Sequence, residues 1–206
     1  MIKLKKIILI LLLISFLFSI SYILTEFVFK ESDSLRITLV SEIKEYNYVC
    51  ESNATELFKD EFEILKENLE SDSVNYDEYA KSIAKLFIID FYTLDNKMTK
   101  NDIGGLQFIH NDAKEIFTSK AIDSVYKYLQ SNVSNIRDQN LPIVSNIENI
   151  ELQMLNFEYN DISTEAYNII LKWNYVEDLG YETETELIIV QEENKLFIVE
   201  KNKTQD

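Results

Sequence analysis

The stretch from residue 76 to residue 94, YDEYAKSIAKLFIIDFYTL, decides the fold of this chain. Its apolar residues recur every three or four positions, which predicts an amphipathic helix. Asn75 lies immediately before this segment and Glu78 lies in its first turn, where the two can form a capping pair. From Phe87 onward the opposite face becomes apolar as well. Because a helix that is apolar all round must be buried, residues 87–94 are predicted to form the centre of the fold.

A further helix is predicted on each side of this segment. The first is capped by Asn53 or Thr55, whose side chains can accept hydrogen bonds from free helix amides, and it ends near Leu69. The third covers about residues 111–130 and carries its own apolar stripe. The side chains predicted to face inward are Ile116, Phe117, Ala121, Val125 and Leu129.

The C-terminal third of the chain is predicted to form an antiparallel meander of four strands, because apolar residues alternate there with period two. The segments are residues 150–159, 164–177, 181–190 and 195–200. In the first segment the alternation changes phase after Met154, which is typical of a β-bulge. Upstream, residues 44–50 are also predicted to be a strand, whereas residues 35–43 fit either a strand or a helix.

The N-terminal segment is long and apolar. The nineteen residues from Ile7 to Thr25 carry no charge, and as a helix they would extend roughly 28 Å, close to the hydrocarbon thickness of a bilayer. We therefore predict a cytoplasmic tail over residues 1–6 and a transmembrane signal-anchor over residues 7–29. The lysines before the run place the later domain in the extracellular or periplasmic space. A cleaved signal peptide is the alternative, since Ser19-Ile20-Ser21 resembles a peptidase site.

These patterns together predict an α+β fold. An N-terminal transmembrane helix is followed by three helices packed on a bent, cone-like, four-stranded antiparallel sheet. The predicted boundaries are residues 30–52 for a juxtamembrane segment with a possible strand, 53–202 for an extracytoplasmic α+β domain and 203–206 for a tail.

Composition excludes several functions. Thirty-six acidic residues against 20 basic ones give a net charge of −16, which disfavours nucleic-acid binding. Cys50 is the only cysteine, so no intramolecular disulfide can form. His110 is the only histidine, so the usual zinc and acyl-transfer arrangements cannot be assembled. We predict no cofactor and no metal.

The order of elements over about residues 53–202 resembles the cone-shaped fold of the nuclear-transport-factor-two-like superfamily. Such resemblance implies a curved sheet that wraps helices and leaves a pocket. With a single N-terminal span added, the layout is similar to that of the inner-membrane scaffold proteins of type IV secretion and conjugation systems, which implies an assembly role without catalysis. The resemblance rests on element order and not on a motif, so it carries over no site residue.

Three residues are candidates for a ligand site: Asp90, Tyr92 and Trp173. Asp90 lies within the apolar stripe of its helix, where a lone carboxylate would be costly to bury. It is either an acid with a raised pKa at the floor of a pocket, or a carboxylate bonded to a lysine, a tyrosine or a backbone amide. Trp173 lies on the apolar face of its strand, which favours a place in the core over ligand stacking.

The sequence predicts, first, a membrane-anchored module of the cell envelope that binds other envelope proteins or itself. The alternatives are a small-ligand-binding or sensory domain that uses a cone pocket, and an enzyme with Asp90 as its acid or base. A ligand binder or an enzyme requires an open pocket near Asp90, Tyr92 or Trp173. An interaction module instead predicts a filled core and an exposed apolar edge or helix face.

Overall fold

The computed structural model describes residues 15–16, 18–20 and 37–203. The chain divides into two compact units, Met1–Ile37 and Thr38–Asp206. In the first unit, residues 15–16 and 18–20 are helical. The second unit begins with a hairpin of strands β1 (Leu39–Ile43) and β2 (Tyr48–Glu51).

Two helices follow the hairpin, as the sequence predicts. Helix α1 spans Glu56–Leu69, and Thr55 caps it by accepting a hydrogen bond from the Phe58 amide. Helix α2 spans Tyr76–Tyr92, and its cap, Asn75, accepts from the Glu78 amide at 3.2 Å. The C-terminal half of α2 is buried on nearly every side, between α1 and the sheet. This helix is therefore the centre of the fold.

A four-stranded antiparallel sheet completes the α+β architecture, with its strands in chain order. The strands are β3 (Val144–Tyr159), β4 (Ile162–Tyr175), β5 (Glu184–Glu192) and β6 (Lys195–Asn202). The turn between β3 and β4 places Asn160 and Asp161 at positive φ, as a tight hairpin with two loop residues requires. The edge strand β6 also receives Ile109 through a parallel bridge.

The bulge predicted after Met154 is wrong. Strand β3 pairs with β4 without a register shift from Asn149 to Tyr159, and its shifts lie nearer its start. Leu155, Phe157 and Tyr159 instead pack on a second apolar cluster, made of Ala166, Ile188 and Val190. The apolar side chains of β3 before Met154 contact the main core. Those after Met154 contact this smaller cluster on the other face of the sheet. The phase change therefore marks a change of buried face in an unbroken strand.

The third helix differs from its prediction. Helix α3 spans Asn111–Asp123, shorter than predicted, and His110 is its N-cap. Ile116, predicted to face inward, is 62% exposed, and Ala121 is the only fully buried residue of the helix. Tyr126 lies beyond the helix end and is buried, where its hydroxyl donates to the Phe91 carbonyl at 2.7 Å. One face of α3 is thus not closed by the sheet.

The predicted transmembrane signal-anchor, and the single-pass localisation derived from it, are contradicted. Among the residues that the structure describes, no helix combines the length and the apolar character needed to cross a membrane. Most of residues 7–29, including part of the possible cleavage site, and all of the predicted tail over residues 1–6 lie outside the described residues. What the structure shows of the predicted fold class is its α+β part, helices together with a four-stranded antiparallel sheet.

Candidate functional site

Asp90 lies in the last turn of α2 and is fully engaged by neighbouring groups. Its Oδ1 accepts a hydrogen bond from the Lys97 ammonium, and its Oδ2 accepts one from the Gly105 amide at 2.7 Å. Gly105 has a φ of 77°, a left-handed conformation that glycine adopts without strain. At Gly104, an added Cβ would lie 2.2 Å from the Asp90 carbonyl oxygen. The 104–105 loop is therefore fitted closely around Asp90.

A small pocket of about 210 Å³ opens beside this ion pair. Asp90 and Lys97 lie in its wall together with Asn96, whose Oδ1 is buried and has no hydrogen-bond partner among the described residues. The Lys97 side chain is only 6% exposed and that of Asp90 is 24% exposed. Because both Asp90 oxygens are occupied, we interpret the carboxylate as a structural link between α2 and the following loops.

Tyr92 and Trp173 are brought together, but away from Asp90. Their ring centroids are 4.8 Å apart, and both side chains are buried in the core. Neither residue lines either of the two cavities described here. Successive helix residues are rotated by about 100°, so residues two apart point to nearly opposite sides. The three predicted site residues therefore do not form one site.

The Tyr92 hydroxyl instead anchors a carboxylate at the edge of the sheet. It donates to Oε2 of Glu182, and the Lys201 ammonium donates to the same oxygen at 2.9 Å. Burial raises the pKa of Tyr92, and its bond to Glu182 raises it further. Partial burial alone would raise the pKa of Glu182, but the hydrogen bonds from Tyr92 and Lys201 outweigh it and hold that pKa below its ordinary value. Glu182 is consequently a charged, fully paired group.

A larger cavity, which the sequence did not predict, lies between α3 and strand β6. It measures about 560 Å³, and we call it the α3–β6 cavity. Its apolar lining comes from α2, α3 and β6 and from residues next to them. The apolar side chains are Phe91, Ile109, Ala113, Ile116, Phe117, Ala121, Val125 and Ile198. Ile116 is thus exposed because it borders this cavity.

His110 is a structural link between three elements. Its Nδ1 accepts from the Asp112 amide at 3.2 Å and lies 2.7 Å from the Tyr159 hydroxyl, and its Nε2 lies 3.0 Å from Oε2 of Glu192. Since a backbone amide can only donate, Nδ1 carries no proton, and Nε2–H donates to Glu192. The described residues contain no group of three or more His, Cys, Asp or Glu side chains placed to hold a metal ion.

Comparison with known protein families, with curated protein sequences and with solved structures found no match. The resemblance to the nuclear-transport-factor-two-like fold and to secretion scaffold proteins therefore stays a prediction. The functional argument rests on the geometry of the chain itself.

Proposed function

We propose that this protein binds a small, mainly apolar molecule in the α3–β6 cavity. The observation that carries the proposal is the cavity itself, about 560 Å³ in volume with an apolar lining and charged residues at its border. Small-molecule sites typically occupy about 300–1,000 Å³ and combine apolar walls with a few polar groups. A helix that packed only to complete the core would be expected to close such a space, since protein interiors are densely packed.

The environment of α3 supports the same function. Only Ala121 of this helix is fully buried, whereas Phe117 is partly buried and Ile116 is 62% exposed. Apolar side chains on this face would gain about 25 cal/mol for each Å² that a ligand removes from water. The chain thus places apolar area where a ligand, rather than another element of the fold, can cover it.

Filling the cavity is expected to abolish ligand binding without unfolding the protein. The test replaces Ala113, a partly buried cavity residue, with phenylalanine. The probe is N-phenyl-1-naphthylamine, a neutral apolar dye whose fluorescence rises in apolar surroundings. The wild type should enhance the fluorescence and Ala113→Phe should not. The thermal midpoint should stay unchanged or rise, because the added ring occupies apolar space.

Ser119→Phe is the matched control, because Ser119 is an exposed residue of the same helix that does not line the cavity. This variant should bind the dye as the wild type does. Equal dye binding by Ala113→Phe and Ser119→Phe would show that the dye sits elsewhere and would overturn the proposal.

A second candidate function, binding of another protein, is favoured by the open edge of β3. In the described part of the chain, β3 has β4 as its only strand partner. From Asn149 to Tyr159 the edge is regular and contains no Lys, Arg or Pro, the residues that commonly protect such edges. Glu151 and Glu158 lie within it, and Met154 is 50% exposed. This edge fits a basic, extended segment that would add a strand to the sheet.

Strand addition is tested with a synthetic peptide of alternating lysine and valine, measured by fluorescence anisotropy. The wild type should bind it, and methylation of alternate peptide nitrogens should abolish binding, because it removes the main-chain donors but keeps the charge. Met154→Lys should weaken binding by up to about fivefold, the effect of like charges on paired strands. Ile64→Lys, at an exposed apolar residue of α1, is the control. Equal binding of the methylated peptide would contradict strand addition.

A further inference from the structure

Lysine side chains are concentrated at the border of the α3–β6 cavity. Its lining includes Lys120, Lys201 and Lys203, against Glu182 and Glu200. In the whole chain the balance is the reverse, with 36 acidic residues and 20 basic ones. The border is therefore locally enriched in positive charge within a strongly acidic protein.

The pairing register of β5 and β6 separates the charges further. Lys201 pairs with Leu187, and Glu200 pairs with Ile188. Leu187 belongs to the main core, whereas Ile188 belongs to the cluster on the opposite face of the sheet. Directly paired residues of antiparallel strands share a face. The Lys201 side chain thus lies on the core side of the sheet, and the Glu200 carboxylate lies on the other side.

The negative charge of the remaining carboxylate at the border is already paired. Glu182 accepts hydrogen bonds from both Tyr92 and Lys201. In contrast, Lys120 and Lys203 are exposed, and no carboxylate lies within 4.0 Å of either ammonium in the described part of the chain. Two ammonium groups therefore remain available at the border of an apolar cavity.

We infer that the ligand is an anionic amphiphile, with one apolar chain and a carboxylate or phosphate-ester head. The apolar chain lies along Phe91, Phe117 and Ile198, and the head is held by Lys120 and Lys203. This inference rests on the proposed ligand-binding function and adds the chemical class of the ligand. Exposed ammonium groups attract such a head by modest, salt-dependent interactions.

The experiment compares four probes with the same twelve-carbon chain: dodecanoate, dodecyl phosphate, dodecan-1-ol and dodecylamine. Each is used below the concentration at which it forms micelles, and each competes with N-phenyl-1-naphthylamine for the wild-type chain. We expect the two anionic probes to displace the dye at concentrations about tenfold lower than the alcohol and the amine, because each exposed ammonium adds a modest attraction for the anionic head. The stronger of the two anions identifies the head group as carboxylate or phosphate ester.

The double variant Lys120→Gln/Lys203→Gln should lose most of this preference while it binds dodecan-1-ol as the wild type does. Lys44→Gln/Lys100→Gln removes the same net charge at exposed residues outside both cavities and should keep the preference. If the dye binds but the amine or the alcohol competes as well as the anions, the inference about the head group is overturned and the proposed function stands. If neither the dye nor any twelve-carbon probe binds, the proposed function itself fails.

Discussion

Replacing Asp90 with asparagine is expected to lower the free energy of unfolding by about 3 kcal/mol, because it leaves a buried lysine without its counter-charge. The Lys97 side chain is 6% exposed, and in the described part of the chain Asp90 is its only ion-pair partner. Removal of one member of a buried pair typically costs about 3–5 kcal/mol. We expect the lower end of this range because the Asp90 side chain is 24% exposed, so water can approach the Lys97 ammonium that is left without its partner. Urea unfolding followed by circular dichroism measures the effect.

Two variants make this result specific to the ion pair. Asp95→Asn removes the same charge at an exposed neighbouring residue, and should change the free energy of unfolding by no more than about 0.5 kcal/mol. Asp90→Asn/Lys97→Met removes both charges and should recover part of the loss, since no uncompensated charge is then buried. If Asp90→Asn were as stable as Asp95→Asn, Asp90 would not hold the 104–105 loop, and an active role for its carboxylate would have to be reconsidered.

Local sequence signals predicted the centre of this fold because they act over a few residues. The spacing of apolar residues in α2 determines which side chains can be buried together, and the caps Thr55 and Asn75 depend only on the amides that follow them. Antiparallel pairing of β3 to β6 follows from short turns and period-two alternation. These features do not require knowledge of distant contacts.

Features that depend on distant contacts were predicted incompletely or not at all. The sequence predicted a bond from Asp90 to a lysine as one of several alternatives. Only the fold shows that the partner is Lys97, seven residues later. The sequence offered Asp90, Tyr92 and Trp173 as separate candidates; Asp90 and Tyr92 do not share a pocket, because residues two apart on a helix point to nearly opposite sides. The phase change in β3 was interpreted as a bulge, since the sequence does not reveal that both faces of the sheet carry apolar clusters.

The α3–β6 cavity was missed for a related reason. The apolar side chains of α3 satisfy a helical pattern whether they face a filled core or an open space, so periodicity alone cannot distinguish the two. One signal was available in the last strand, where Lys201 and Lys203 alternate with polar residues directly after the apolar segment that ends at Val199. Alternating lysines at the end of a core strand indicate a border between apolar and aqueous surroundings.

Replacing Trp173 with alanine is expected to reduce the free energy of unfolding by about 3–5 kcal/mol, the typical cost of truncating a large buried aromatic side chain. Trp173 has the largest fully buried side chain among the described residues, and its ring packs against that of Tyr92. Its ring centroid also lies 6.5 Å from that of Tyr175, so the side chain fills the space between two aromatic neighbours. Far-UV circular dichroism must follow the unfolding, because Trp173 is the only tryptophan and its removal eliminates the tryptophan fluorescence.

Trp173→Phe distinguishes a core role from a ligand-stacking role. Phenylalanine keeps an aromatic ring but is smaller, so a core residue should show a partial loss of stability and unchanged dye binding. Trp173 does not line the α3–β6 cavity, whereas Phe117 does. We therefore expect Phe117→Leu, and not Trp173→Phe, to weaken binding of N-phenyl-1-naphthylamine, since the leucine keeps the site apolar but removes its ring. Reduced dye binding by a fully stable Trp173→Phe would instead place the ligand against the Tyr92–Trp173 pair and move the site away from α3.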